Sequence, residues 1–316
     1  METVHKSVML EEAVAGLNLK KGDTVVDATL GGGGHSLEIL KKIGDTGKLI
    51  AIDRDSGATE RFKSKIKNEN LNIKKENLIL INENFANIKN ILSEIKIDRV
   101  DAMLADFGLS SDQLDDENRG FSFNSKARLD MRMNLEQDLS AFEVINEYSQ
   151  EDLYKIIKKY GEEKFVGPIV KKIIAKRKEN PIERADELTG LILSAVPKRF
   201  QHQKIHPATR TFQAIRMEVN WELESIEKFI REGIGRIVAG GRMAVISFHS
   251  GEDRLVKNIF RELAKDCECP PDFPVCRCSK RAEVKIITGK PILPQIGEIE
   301  ENTRARSAKL RIVQKI

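Results

Sequence analysis

The stretch "DATLGGGGHS" (27–36) places four consecutive glycines after a short apolar run and follows them with His35. Glycine loses more backbone entropy on folding than any other residue. Four in a row therefore mark a place where side chains would obstruct something, and a ligand pressed against backbone is the candidate. The residues before them, "DTVVDATL" (23–30), read as a buried strand, and "SLEILKKI" (36–43) as the helix behind it. A strand, a glycine turn and a helix start turn backbone N–H groups and a positive helix end toward a ligand, with His35 expected to cap the loop.

Strand and helix patterns continue outward from this point. "GKLIAIDRD" (47–55), "NLILINENF" (77–85) and "VDAMLADFG" (100–108) read as three further strands separated by helical periodicity. That alternation predicts an α/β fold with a doubly wound, mostly parallel sheet, its ligands lying outside the carboxyl ends of the strands. Between about 111 and 208 the rhythm stops. Amphipathic helices such as "AFEVINEYSQEDLYKIIKKYG" and "EKFVGPIVKKIIAKRKEN" replace it, so this region reads as an inserted all-helical subdomain between a first part (1–110) and a second part (209–316) of the α/β domain. In the second part, "TFQAIRMEVNWELESIEKFIREGI" (211–234) reads as one long helix and "GGRMAVISFHS" (240–250) as a strand. "AEVKIIT" and "SAKLRIVQKI" read as a closing hairpin-like pair.

Composition bounds the function. With 316 residues, 40% hydrophobic and 32% charged, the chain has the make-up of a globular protein. No apolar run approaches the ~20 residues of a membrane span, and the start lacks a signal pattern, so a cytoplasmic location is expected. The net charge of +4 is unevenly placed: residues 151–220 hold 15 Lys and Arg against 9 Asp and Glu. Such a surplus suits either a nucleic-acid contact or a solvated helical face.

The glycine pattern discriminates between cofactors. A dinucleotide fingerprint needs G-x-G-x-x-G, but counting from Gly31 or Gly32 the sixth position is Ser36 or Leu37. Asp27-x-x-x-Gly31-x-Gly33, followed by Asp53 at the end of the next strand, suits S-adenosylmethionine, with Asp53 accepting from ribose hydroxyls.

"DFGLSSDQLDDENRGFSF" (106–123), "RLDMRM" (128–133), "TFQAIRMEVNWEL" (211–223), "VISFHSGEDRLVK" (245–257) and "NTRARSAKLR" (302–311), after "HKSVMLEEAV" (5–14), closely resemble the RsmH/MraW family. Its members are bacterial enzymes that methylate N4 of a cytidine in the decoding region of 16S rRNA. Departures are few: Phe107 stands where Leu is usual, and Asp112, Arg128 and Thr303 where Pro is common. The resemblance implies a class I methyltransferase fold with S-adenosylmethionine as cofactor, held by Gly33, Gly34, His35, Asp53, Phe85, Asp106 and Gln113. It implies 16S rRNA of the small subunit, or of an assembly intermediate, as partner, no membrane, and leaves a homodimer open.

Amino-group methylation of cytosine needs a proton acceptor, because the N4 lone pair is delocalised into the ring. Enzymes acting on exocyclic base amines often carry (D/N)PPY at the fourth strand; this chain has "ADFGLSS", so Asp106 and Ser110, with Ser111, are the candidate acceptors and His249 a second one. Arg119, Phe121, Phe123 and Arg132 are candidates for holding a splayed base, and Arg304, Arg306, Lys309, Arg311 and "KKIIAKRK" for phosphates. Cys267, Cys269, Cys276 and Cys278 form C-x-C-x6-C-x-C, read either as a zinc-holding set or as a reduced, redox-labile loop. Two other readings share parts of this pattern: a dinucleotide enzyme and an RNA-binding assembly factor without chemistry.

Overall fold

The computed structural model describes residues 7–68, 74–108, 119–201, 205–270, 275 and 277–316. By packing, the chain divides into two compact units, one of Met1–Gly108 with Leu223–Ile316 and one of Leu109–Glu222.

The first unit is built on a seven-stranded sheet: β1 Thr24–Asp27, β2 Lys48–Asp53, β3 Leu78–Asn82, β4 Val100–Asp106, β5 Ile237–Ser247, β6 Val284–Ile286 and β7 Lys309–Lys315. Their order is β3-β2-β1-β4-β5-β7-β6. Strands β1 to β5 run parallel, whereas β7 is antiparallel to both β5 and β6. This is the doubly wound, mostly parallel α/β sheet that the sequence predicts, closed by an antiparallel edge. After β3 the chain crosses back to β4 beside β1, so the carboxyl ends of β1 and β4, Asp27 and Asp106, flank the crevice where such sheets bind ligands.

Side chains alternate across the sheet. Val26, Ile50, Ile52, Met103, Ala105, Met243 and Val245 face one core, against α4 (Ile88–Glu94), α10 (Glu222–Ile234) and α11 (Ser250–Leu263). Val25, Leu49, Ala51, Leu104, Ala244 and Ile246 face the other, against α1 (Leu10–Leu17), α2 (Gly34–Ile43) and α3 (Ser56–Asn68). Burial on both faces explains the near-continuous apolar runs of these strands.

The second unit is helical: α5 Ala141–Glu147, α6 Gln150–Gly161, α7 Val166–Arg177, α8 Ala185–Ala195 and α9 Thr209–Val219, around one apolar core. Helix α5 begins with a capping box on Ser140 and α6 with the Ser149 hydroxyl accepting from Asp152 N, which satisfies first-turn donors. At Gly161 a β-carbon would sit 2.5 Å from the Arg210 carbonyl, so α6 and α9 meet at backbone distance.

One sequence expectation is corrected here. The long helix expected over 211–234 is two helices, α9 and α10. At the break, the Asn220 side chain donates to Met131 O and accepts from Met133 N, and Trp221 adopts φ 46°. Helix α9 belongs by packing to the helical unit, whose edge falls after Glu222 rather than at 208.

Candidate active site

The glycine loop is anchored on both neighbouring strands. Ala28 N donates to Leu104 O and Leu30 N to Ile52 O. Gly33, at φ 73°, starts α2, and a β-carbon there would lie 2.2 Å from the Phe62 ring. The loop must therefore be backbone alone at this point, as the sequence suggests. Lys65 Nζ holds the Gly32 carbonyl at 3.0 Å from α3.

Three aspartates surround this loop at strand ends. Asp27 is fully buried, accepting from Ser36 Oγ at 2.6 Å and Thr29 N at 3.2 Å. Burial pushes its carboxyl up to about 7 despite these donors. Asp53 accepts from Gly31 N at 2.7 Å and Asp55 N at 2.9 Å, so its carboxylate ties the glycine loop to the end of β2 while lone pairs on both oxygens remain. Burial raises this carboxyl too, against the pull of the two N–H groups.

Asp106 has the least satisfied carboxylate of the three. Its backbone N–H donates to Thr29 Oγ1 at 2.6 Å, fixing the end of β4 to the loop after β1. Its Oδ1 is buried without a hydrogen-bond partner. Burial first, then the nearby acids Asp27, Glu252 and Glu298, raise its carboxyl well above the usual range. Its Oδ2 lies 3.9 Å from His35 Nδ1.

His35 is buried in the first turn of α2, and its Nε2 lies 3.1 Å from Val8 O. A carbonyl can only accept, so Nε2 carries the proton and Nδ1 in the neutral ring faces Asp106. The imidazole braces the amino-terminal segment through Val8, and the N-cap of α2 is Gly33, which has no side chain of its own.

Phe85, after β3, packs on Phe107 and Phe229 with centroids 5.5 Å away in each case, and the Arg54 guanidinium lies over its ring. It is half-buried, with part of its surface left exposed. His249 is the N-cap of α11: its Nδ1 accepts from Glu252 N at 3.2 Å, and its Nε2 lies 3.1 Å from Glu252 Oε1 without hydrogen-bond geometry. Nδ1 already accepts at the start of α11, and Nε2 then carries the ring proton, which weighs against the proton-acceptor role considered from sequence. Ser110, Ser111 and Gln113 lie outside the described residues.

Several arginines expected to meet RNA have internal work. Arg132 makes a two-pronged bond to Asp130 and donates to the Leu135 and Gln137 carbonyls. Arg119 donates to Arg132 O and Met133 O. Together they fold the 119–139 segment onto itself. Phe121, 7% exposed, is helical core rather than an open stacking face. Phe123 stacks on His206, centroids 4.3 Å apart and planes 1° from parallel, a pairing that sequence alone did not suggest. Lys309 and Arg311 both pair with Asp253, whereas Arg304 and Arg306 are exposed on a short turn, Thr303–Ser307. In α7, Arg177 donates to the Ile145 and Tyr148 carbonyls, leaving Lys171, Lys172 and Lys178 outward.

These residues fit a cofactor with an amino-acid end and a sugar: backbone cradle, strand-end carboxylates and one buried unpaired oxygen. The model of the MraW methylase family matches residues 2–316. The chain belongs to the MraW methylase family. Relatives named Ribosomal RNA small subunit methyltransferase H are similar over the full length of both chains, at 52% identity in Clostridium botulinum strain Kyoto and 47% in Clostridioides difficile strain 630. Looser likenesses include an rRNA methylase from Streptococcus thermophilus (11% identity, TM-score 0.43, covering 98% of this chain and 95% of that one). Another is a SAM-dependent O-methyltransferase from Thermotoga maritima (11%, TM-score 0.43, covering 100% and 68%). Among the described residues of this MraW family member, no helix is long and apolar enough to cross a membrane.

Proposed function

We propose that this MraW family member transfers a methyl group from S-adenosylmethionine to N4 of one cytidine in the decoding region of 16S rRNA, within the cytoplasmic small ribosomal subunit or its precursor. The observation that carries the reading is full-length similarity, at 52% identity, to relatives named for small-subunit rRNA methylation.

S-adenosylmethionine, when bound, supplies a methyl group on a positively charged sulfur. Gly33 and Gly34 admit its methionine end to the start of α2, the lone pairs left on Asp53 take the ribose hydroxyls, and Phe85 offers its exposed ring surface to the base. Asp106 accepts the proton released from N4. Its unpaired Oδ1 at the end of β4 supports this assignment. A cationic cofactor bound beside Asp106 would favour its carboxylate form, opposing the burial that raises its carboxyl. In the helical unit, the exposed lysines of α7 and the Phe123–His206 stack suit phosphates and an unstacked base respectively.

The deciding experiment is transfer of labelled methyl to 16S RNA in small subunits from a strain lacking the modification, followed by nucleoside mass spectrometry. N4-methylcytidine at one site is the expected product. Cofactor binding with no incorporation into subunits or their precursors would overturn the RNA target while leaving the fold assignment intact.

A further inference from the structure

The described residues from Lys265 to Glu283, between α11 and β6, form an excursion that joins no apolar core. Its base is clasped by Glu283 N donating to Leu263 O at 2.8 Å and Ala282 N donating to Asp266 Oδ1 at 3.0 Å. Among the described residues between Lys265 and Glu283, none belongs to an apolar cluster, and Val275 is 68% exposed. A metal or a disulfide is a common source of order where few apolar side chains are buried.

The clasp brings the outgoing and returning arms side by side, and their sulfurs converge. Cys267, Cys269 and Cys278 Sγ all lie within 4.8 Å of one another. Cys267 and Cys278 Sγ are 3.7 Å apart. A disulfide would require about 2.05 Å. A tetrahedral ion about 2.3 Å from each sulfur holds its sulfurs about 3.8 Å apart.

Backbone donors supply a second, independent indication. Each sulfur lies within reach of one main-chain N–H: Cys267 Sγ accepts from Cys269 N at 3.3 Å, Cys269 Sγ from Arg277 N at 3.4 Å, and Cys278 Sγ from Glu268 N at 3.5 Å. Donors aimed at sulfur stabilise thiolate over thiol, the form in which cysteine ligates metal. Surrounding donors of this kind are what metal ligands carry as their outer layer.

We propose that Cys267, Cys269 and Cys278 are thiolate ligands of a structural zinc ion that orders this loop. Cys276 lies outside the described residues and is not counted among them. The ion shares no residue with the methyl-transfer site, so the proposal stands or falls apart from that reading.

Untagged protein, purified without chelator and with thiols kept reduced, should contain about one zinc per chain by elemental analysis. Exchange with cobalt(II) should give the sulfur-to-metal charge-transfer absorption of a thiolate site. The combined Cys267→Ser, Cys269→Ser and Cys278→Ser variant should lose the metal and become sensitive to proteolysis in this loop, while S-adenosylmethionine binding reports that the sheet is folded. Wild-type protein that takes up no zinc when incubated with it under reducing conditions would overturn the proposal. So would cobalt-loaded wild type without the thiolate band, or a folded triple variant that retains the ion.

Discussion

Asp106 Oδ2 and His35 Nδ1 face each other at 3.9 Å, beyond hydrogen-bond length, with the other imidazole nitrogen committed to Val8 O. The pair leaves a carboxylate whose Oδ1 has no partner at the end of β4. If Asp106 takes the N4 proton, Asp106→Ala should lower kcat by about 10²–10⁴-fold, the usual contribution of a general base. Direct calorimetry of S-adenosylmethionine binding separates this from lost affinity. Because burial holds Asp106 above the usual carboxylate range, activity should be lost as pH falls through that raised value. The acid limb of the wild-type rate profile then sits above that of an ordinary aspartate. An Asp106→Ala enzyme with full turnover would remove the assignment.

Gly33 combines φ 73° with a site where a β-carbon would lie 2.2 Å from Phe62 Cδ2, itself buried. Gly33→Ala should cost about 1–3 kcal/mol through backbone strain and overpacking, read as a lower Tm. Cofactor affinity should fall as well, because the loop must shift to relieve the clash. Gly34→Ala meets only the Ser7 side chain within 4 Å and is expected to be milder in stability. Equal Tm losses for the two variants would refute the role given to Phe62.

The central sheet was legible because strands buried on both faces, such as β2 and β4, carry near-continuous apolar runs, while the antiparallel strands β6 and β7 showed as mixed polar and apolar runs. The break at Asn220 and Trp221 was not, since the helical periodicity continues through it and only the Asn220 bonds to Met131 and Met133 reveal the turn. At the site, Asp53 and Asp106 followed from their position at strand ends. The internal duties of Arg119, Arg132 and Arg311 did not, because an arginine that clamps a loop and one that meets phosphate look alike in sequence. A histidine after a strand can be a base or the cap of the next helix, and sequence alone does not show that His249 caps α11.

Asp27 gives a stability prediction with a definite sign. Its folded carboxyl is raised to about 7 from an ordinary 3.8, so the folded state holds a proton that the unfolded state releases. That contribution is fully present below about pH 4 and is lost as pH rises toward about 7, by at most about 4 kcal/mol at ~1.4 kcal/mol per pH unit. Asp27→Asn keeps an acceptor for Ser36 and cannot ionise. The Tm of the variant minus that of wild type should therefore increase between pH 4 and 7. A difference that stays flat across this range would show that Asp27 titrates normally.

Arg311 and Arg306 lie five positions apart in the same basic run, yet their surroundings differ. Arg311 Nε is 2.6 Å from Asp253 Oδ1 with both side chains largely buried, and the pairing holds the Asp253 carboxyl below its usual value. Removing Arg311 leaves the largely buried Asp253 carboxylate with Lys309 alone, 3.3 Å from Oδ2, so the cost is bounded by the about 3–5 kcal/mol of a buried charge left without any partner. Arg311→Met should therefore lower Tm sharply, and the pair's stabilisation in wild type should fade as acid protonates Asp253. Arg306 is exposed on the Thr303–Ser307 turn. Arg306→Ala should leave Tm within about 0.5 kcal/mol of wild type but reduce the salt dependence of RNA binding by close to one phosphate contact, a slope change of about 0.7–0.9 in log K against log salt. Measuring both variants for melting and for RNA affinity at several salt concentrations assigns the roles. If Arg311→Met, still folded, changes the salt slope and Arg306→Ala does not, the roles are reversed and the RNA surface lies on the β7 side of the turn.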